Sequence, residues 1–261
     1  MDLDLSGKRA VVCGATQGIG KATAMELAQL GASVTLFSRD EDKLKAVVAE
    51  LPRKGTQKHS YLVADFNMPE DVKLTADIYS QNNPVHILVN NTGGPPAGKA
   101  IDARTFEFLN AFQSHLICNQ YLVQAFVPAM KKAKYGRIIN IISTSVKAPI
   151  KGLGVSNTIR GAVANWAKTL SFELAEFGIT VNNVLPGATM TSRLQSIIKG
   201  KSKSAHKSAE VITQEMIDEI PAGRIGEAHE VAAAIAFLAS PAAGYINGIN
   251  VPVDGGRTGN L

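Results

Sequence analysis

The sequence predicts a single-domain, doubly wound α/β fold with about seven parallel strands and helices on both faces of the sheet. Short β-branched runs alternate with helical patterns along all 261 residues. Several of those runs are apolar almost throughout, as strands covered on both faces must be. The composition, 45% hydrophobic with a mean hydropathy of +0.05, suits one buried sheet and lacks the bias of a disordered chain.

Taken in order, the predicted strands are residues 10–13, 33–37, 61–64, 87–90, 137–142, 180–185 and 249–253. Between the first two, Gly20, Ala24, Leu27, Ala28 and Gly31 recur at steps of three and four, which gives a helix whose small residues allow close approach to the sheet. Residues 157–177 carry Ile159, Val163, Trp166, Leu170, Leu174 and Phe177 on one long stripe, the pattern of a well-buried helix. Only residues 189–216 break the rhythm. This Lys/Ser-rich stretch, with apolar Ile197, Ile198, Val211 and Ile212, reads as a loop-like substrate lid.

Several function classes are set aside at this stage. Residues 1–9 alternate charged and apolar side chains without a secretion signal, and the apolar run 231–239 is far short of the roughly 20 residues that span a bilayer. A cytoplasmic protein without a membrane anchor is therefore expected. Cys13 and Cys118 have no metal-ligand spacing and read as buried free thiols. The net charge of +5 and pI near 9.1 come from scattered basic residues, except for Lys199, Lys201, Lys203 and Lys207. Those four lack interleaved aromatics, so they read as a solvated mobile loop and no nucleic-acid partner is expected.

The strongest local signal is Gly14-Ala15-Thr16-Gln17-Gly18-Ile19-Gly20, which follows the first strand and opens the first helix. Glycines allow backbone to turn tightly and to approach a phosphate, while helix amides and the helix dipole favour the anion. In this strand–turn–helix context the run marks a Rossmann-type dinucleotide site formed by Gly14, Thr16, Gln17, Gly18, Ile19 and Gly20. A nucleoside-triphosphate loop is excluded, because Ala15 stands where it needs glycine and Ala22 where it needs Ser or Thr. The second strand runs into Ser38-Arg39 with no carboxylate for the ribose hydroxyls of NAD, so a guanidinium meets a phosphate and NADP is favoured, with NAD still open. After the third strand, Asp65 can accept from the adenine amino group, and Phe66 beside it is a further cofactor-binding candidate. Asp65 reads nearly as well as a helix cap, since Asn67, Met68 and Pro69 follow it.

These segments together resemble the short-chain dehydrogenase/reductase family over essentially the full chain. The glycine turn resembles that family's Thr-Gly-x-x-x-Gly-x-Gly, with Cys13 for Thr, and Asn90-Asn91-Thr92-Gly93 resembles its Asn-Asn-Ala-Gly. Pro186-Gly187 with Thr191 resembles the Pro-Gly-x-x-x-Thr that meets the nicotinamide, and Val253-Asp254-Gly255-Gly256 resembles the closing strand. The run is most similar to β-ketoacyl carrier-protein reductases, in particular a subgroup with Asn-Thr-Gly-Gly-Pro-Pro after the fourth strand. The resemblance implies an NADP-dependent oxidoreductase, a small carbonyl or acyl-thioester substrate, a homotetramer, and cofactor contacts from Asn91, Gly93, Pro186, Gly187 and Thr191.

The catalytic set departs from the family's. Ser143 fits the family serine, but Ser156-Asn157-Thr158-Ile159-Arg160 stands where the resemblance implies Tyr-x-x-x-Lys, and His115 falls at the asparagine position. An aliphatic hydroxyl is a much weaker acid than a phenol, so Ser156 can orient a substrate but is a poor proton donor. Arg160, one helical turn from Ser156, can hold cofactor hydroxyls and favour a nearby anion. His115 is the candidate acid, because imidazole titrates near neutrality; a core histidine is the competing reading. Lys147 and Lys151 are weaker candidates. Two functions stay open, a carbonyl reductase with an altered proton path and a dinucleotide-binding pseudoenzyme with a regulatory or assembly role.

Overall fold

Unbroken β-branched runs become the centre of the molecule. In the computed structural model, which describes residues 1–259, the strands are β1 (Arg9–Cys13), β2 (Ser33–Ser38), β3 (Ser60–Val63), β4 (Ile87–Asn90), β5 (Gly136–Ile141), β6 (Ile179–Pro186) and β7 (Asn250–Val253). They form one parallel sheet in the order β3-β2-β1-β4-β5-β6-β7. The order reverses between β1 and β4, and a crevice opens at the carboxyl ends of strands where that happens.

Alternation along each strand sends side chains into two cores. Val12, Leu36 and Val89 pack beneath α1 (Gly18–Gln29), α2 (Glu41–Glu50) and α9 (Ala228–Ala239). Val11, Phe37 and Leu88 pack beneath α3 (Pro69–Ser80), α5 (Cys118–Ala133) and α6 (Gly154–Leu174). The expected small-residue face of α1 is buried, with Gly20, Ala24, Leu27 and Ala28 inward. Both thiols are buried and free, and burial pushes both upward, Cys118 to about 12, so neither is a ready nucleophile.

The segment 189–216 corrects the sequence reading. It forms two helices, α7 (Ser192–Ala205) and α8 (Ala209–Asp218), rather than a loop. Leu194 and Ile198, one turn apart, pack with Ile212 and Ile225 in a small core of their own, and the side chains of Thr191 and Ser208 cap the two helices. The four lysines are exposed on or just beyond α7, so their solvation holds while the mobile-loop expectation gives way to helix. A narrow, single-sided apolar stripe diluted by Lys and Ser hid the periodicity. Among the described residues no helix is long and apolar enough to cross a membrane.

Candidate active site

The carboxyl edge of the sheet carries a cleft of about 1050 Å³, large enough for a dinucleotide and a small substrate together. At its floor, β1 ends and the chain turns through Gly14 (φ +58°) and Gly18 (φ +55°), both in the left-handed region. A Cβ on Gly14 would lie 2.5 Å from the Asn91 carbonyl oxygen. Asn91 in turn donates from Nδ2 to the carbonyls of Cys13 (3.3 Å) and Gly14 (3.2 Å), fastening the end of β4 to the turn. Thr16, Gln17, Gly18 and Ile19 line the cleft with Gly14, and α1 begins without a side-chain cap or an acidic residue in its first turn. Its leading amides are thus left for an anion. Gly20 lies behind this surface. A Cβ there would press on the Gly14 carbonyl and lie 2.7 Å from Asn91 Nδ2, so its smallness seats α1 against the turn.

Past β2, Ser38 and Arg39 form the next wall. Arg39 Nη1 is 3.9 Å from Asp65 Oδ2, and with its side chain 70% exposed this loose pair is worth little and leaves the guanidinium available. Asp65 Oδ1 accepts from the backbone N and the Nδ2 of Asn67 (both 3.0 Å), closing a tight turn. The cap of α3 is Met68, without a side-chain bond, so Asp65 shapes the approach to that helix and does not cap it. Phe66 lines the cleft and packs edge-on against Phe37, with ring centres 5.4 Å apart.

The far end of the cleft lies beyond β4, over the carboxyl ends of β5 and β6. Ser143 follows β5, and its Oγ accepts from Ser145 N (3.1 Å), starting a short 3₁₀ turn. On α6, Ser156 and Arg160 stand one turn apart and face the cleft, 8% and 9% exposed. Arg160 donates from Nη1 to the Ile141 carbonyl (2.9 Å) and makes no ion pair among the described residues. Burial, then the charge of Arg193, lowers it to about 10, so it stays cationic at neutral pH. Asn157 braces the intervening loop by donating from Nδ2 to the Ile150 carbonyl (2.9 Å). Lys147 and Lys151 do not line the cleft.

His115 sits on a π-helical turn, Gln113–Ile117, between α4 (Thr105–Phe112) and α5. The wider turn re-aims one residue of an otherwise continuous helix toward the cleft. His115 is 2% exposed, and its Nδ1 shares a short hydrogen bond with Thr92 Oγ1. Burial and then the Arg160 charge hold its pKa well below the usual imidazole value, against a smaller opposing pull from the Gly93 carbonyl. The ring is therefore neutral at pH 7, a hydrogen-bonding group rather than a store of imidazolium.

A last wall comes from the segment after β6. Pro186 and Gly187 line the cleft, and Thr191 caps α7 by accepting from Leu194 N (3.3 Å). Arg193 reaches over to donate from Nη2 to the Pro95 carbonyl (2.7 Å), tying α7 to the loop after β4.

One buried feature was missed by the sequence reading. Asn90, Asn140, Asn183 and Asn250 occupy facing positions on β4 to β7. Their side-chain amides bond in series, Nδ2 to Oδ1, at 2.8, 2.9 and 2.8 Å. The available signal was an asparagine in each of the four strands, at positions that meet only when the strands are laid in register.

Comparison with known proteins adds four findings. A family model described as enoyl-(acyl carrier protein) reductase matches residues 14–258. A 3-oxoacyl-(acyl-carrier-protein) reductase of Haemophilus influenzae is 34% identical over 253 residues, covering 97% of this chain and 98% of its own. A 7α-hydroxysteroid dehydrogenase of Escherichia coli is 32% identical over 263 residues, with 100% and 98% covered. Among solved structures, L-sorbose reductase from Gluconobacter frateurii, complexed with NADPH and L-sorbose, superposes with a TM-score of 0.92 at 28% identity over all of both chains.

Proposed function

Since the chain belongs to the short-chain dehydrogenase/reductase family, we propose that it is an NADP-dependent oxidoreductase moving hydride between the nicotinamide and a carbonyl or alcohol carbon, with an altered proton path. The observation that carries this reading is that Ser143, Ser156, Arg160 and His115 line the same cleft as the glycine turn.

The cofactor fits the residues present. Left-handed glycines and uncapped α1 amides suit its pyrophosphate, and Ser38 and a loosely held Arg39 at the end of β2, where a carboxylate would hold the ribose hydroxyls of NAD, suit a 2′-phosphate. In this reading Gly14, Thr16, Gln17, Gly18 and Ile19 hold the pyrophosphate, with Gly20 seating the turn. Ser38 and Arg39 take the 2′-phosphate, and Asp65 and Phe66 the adenine. Asn91, Gly93 and Arg160 meet the nicotinamide-side ribose, and Pro186, Gly187 and Thr191 the carboxamide. When bound, NADPH supplies the hydride. Ser143 and Ser156 orient the substrate oxygen by hydrogen bonds, and the permanent charge of Arg160 favours negative charge gathering there. His115, neutral in the free protein, passes a proton as a relay, one ring nitrogen giving it toward the reduced substrate oxygen while the other takes one from solvent water. Helices α7 and α8 form the lid, the substrate is a small carbonyl compound or acyl thioester, and the assembly is a homotetramer.

The test is calorimetric binding of NADPH and NADH, followed by cofactor oxidation over ketones, aldehydes and β-ketoacyl thioesters. NADPH-selective binding with turnover is expected. The second reading, a dinucleotide-binding pseudoenzyme, is favoured by one observation, that no phenol stands at Ser156; tight NADPH binding without turnover of any carbonyl compound would support it.

A further inference from the structure

Two guanidinium groups that line the cleft have no carboxylate to answer them among the described residues. Arg160 is more than nine-tenths buried and lines the cleft with a single protein hydrogen bond, leaving most of its N–H groups without an acceptor. Arg193 lines the same cleft from α7, lying on Gly94, where a Cβ would be 3.4 Å from Nη2. The two charges are close enough for Arg193 to act on both Arg160 and His115. Among the described residues only two carboxylates line the cleft, Asp65 and Glu107. Asp65 is closed into its turn beside Arg39, and Glu107 Oε2 accepts from Arg104 N (2.7 Å) with Arg104 Nε at 3.8 Å. Burying a guanidinium without a counter-charge is costly, and a fork of planar donors matches a carboxylate bidentately.

We propose that Arg160 and Arg193 jointly bind a carboxylate on the substrate, making the substrate class an oxo acid (or the corresponding hydroxy acid) rather than a neutral ketone. The inference rests on the dinucleotide-dependent reading above. The glycine turn and Arg39 already answer the phosphates of the cofactor, and the ribose that Arg160 also meets is uncharged, so the charge of the pair at the other end is left for the second ligand. Arg160 anchors from below, and Arg193 closes from the lid, so that binding of the acid and closure of α7 are one event.

The experiment uses the full chain loaded with NADPH. Pyruvate, acetoacetate and levulinate are compared with their methyl esters as substrates, and with NADP+ bound they are titrated by calorimetry at low and high salt. At least one acid is expected to surpass its ester in kcat/KM by on the order of 10–150-fold, the range for losing a charge-assisted hydrogen bond, and to bind more weakly as salt rises. Arg193→Gln collapses that acid-to-ester ratio by about 10-fold or more, and Arg193→Lys restores part of it. Esters equal to or better than acids, or no acid bound in calorimetry, would overturn the proposal. So would an Arg193→Gln chain whose loss falls on NADPH affinity instead, since Arg193 would then serve the pyrophosphate. If neither dinucleotide binds, the underlying functional reading fails; if NADPH binds and reduces neutral carbonyls without preference, only the carboxylate assignment fails.

Discussion

His115 shows how far an environment moves a single side chain from its reputation. Its residue type suggests a neutral-pH acid, yet burial beside Arg160 keeps the ring uncharged in the fold. Two consequences follow from the sign of that shift. With the folded pKa below the unfolded value of 6.5, the unfolded chain binds the extra proton first, so stability from a neutral His115 is present above about pH 6.5 and drains away as pH falls toward the folded value. His59 and His86 are shifted the same way by burial, so the readout is the difference between wild type and His115→Asn in denaturant unfolding across this window. The variant is expected to lose less stability on acidification. In catalysis, removing a group that relays the proton costs about 10²–10⁴ in rate, so His115→Ala slows NADPH oxidation by that order; an unchanged rate and pH profile would take histidine out of the mechanism.

At the scale of elements, function depends on how α1 and the four neighbouring strands β4 to β7 are seated. Gly20→Ala places a methyl group against the Gly14 carbonyl and Asn91, so α1 shifts. The expected penalty is about 1–3 kcal/mol in unfolding free energy together with weaker dinucleotide binding. Asn140→Ala cuts the asparagine series in the middle, leaving the Nδ2 of Asn90 and the Oδ1 of Asn183 without partners beneath the site. At ~1–3 kcal/mol for each stranded buried group, it loses on the order of 2–6 kcal/mol of stability, measured by chemical unfolding. The elements differed in legibility for physical reasons. Strands buried on both faces leave unbroken apolar runs, so all seven were readable to within about a residue or two at their ends. Helices α7 and α8 bury only a thin stripe, Leu194 and Ile198 on one and Ile212 on the other, under a Lys/Ser surface that reads as loop. The π-helical turn that aims His115 has no composition signal, and the asparagine series is visible only when strands are laid in register.

For the whole molecule, strand order is the functional fact. Because the sheet reverses between β1 and β4, residues as distant in sequence as Arg39, His115, Arg160 and Thr191 share one cleft. The glycine turn was legible because its context constrains backbone, whereas Arg193 escaped notice because nothing in its neighbourhood of sequence marks it as meeting the loop after β4. The outer surface bears on assembly. Phe172 on α6, and Tyr245 and Ile249 before β7, are exposed, which suits association of the proposed homotetramer through this side. Light scattering at micromolar concentration is expected to give four times the 27.6 kDa chain mass, and a monomer would contradict that assembly.

The most direct test of the account is titration calorimetry of the wild-type chain and Arg39→Ala with NADPH and with NADH. The account predicts that wild type binds NADPH on the order of 10–100-fold more tightly than NADH, and that Arg39→Ala removes most of the preference while leaving NADH affinity nearly as it was. Absence of binding by both dinucleotides would contradict it, as would an NADPH preference that survives the loss of Arg39.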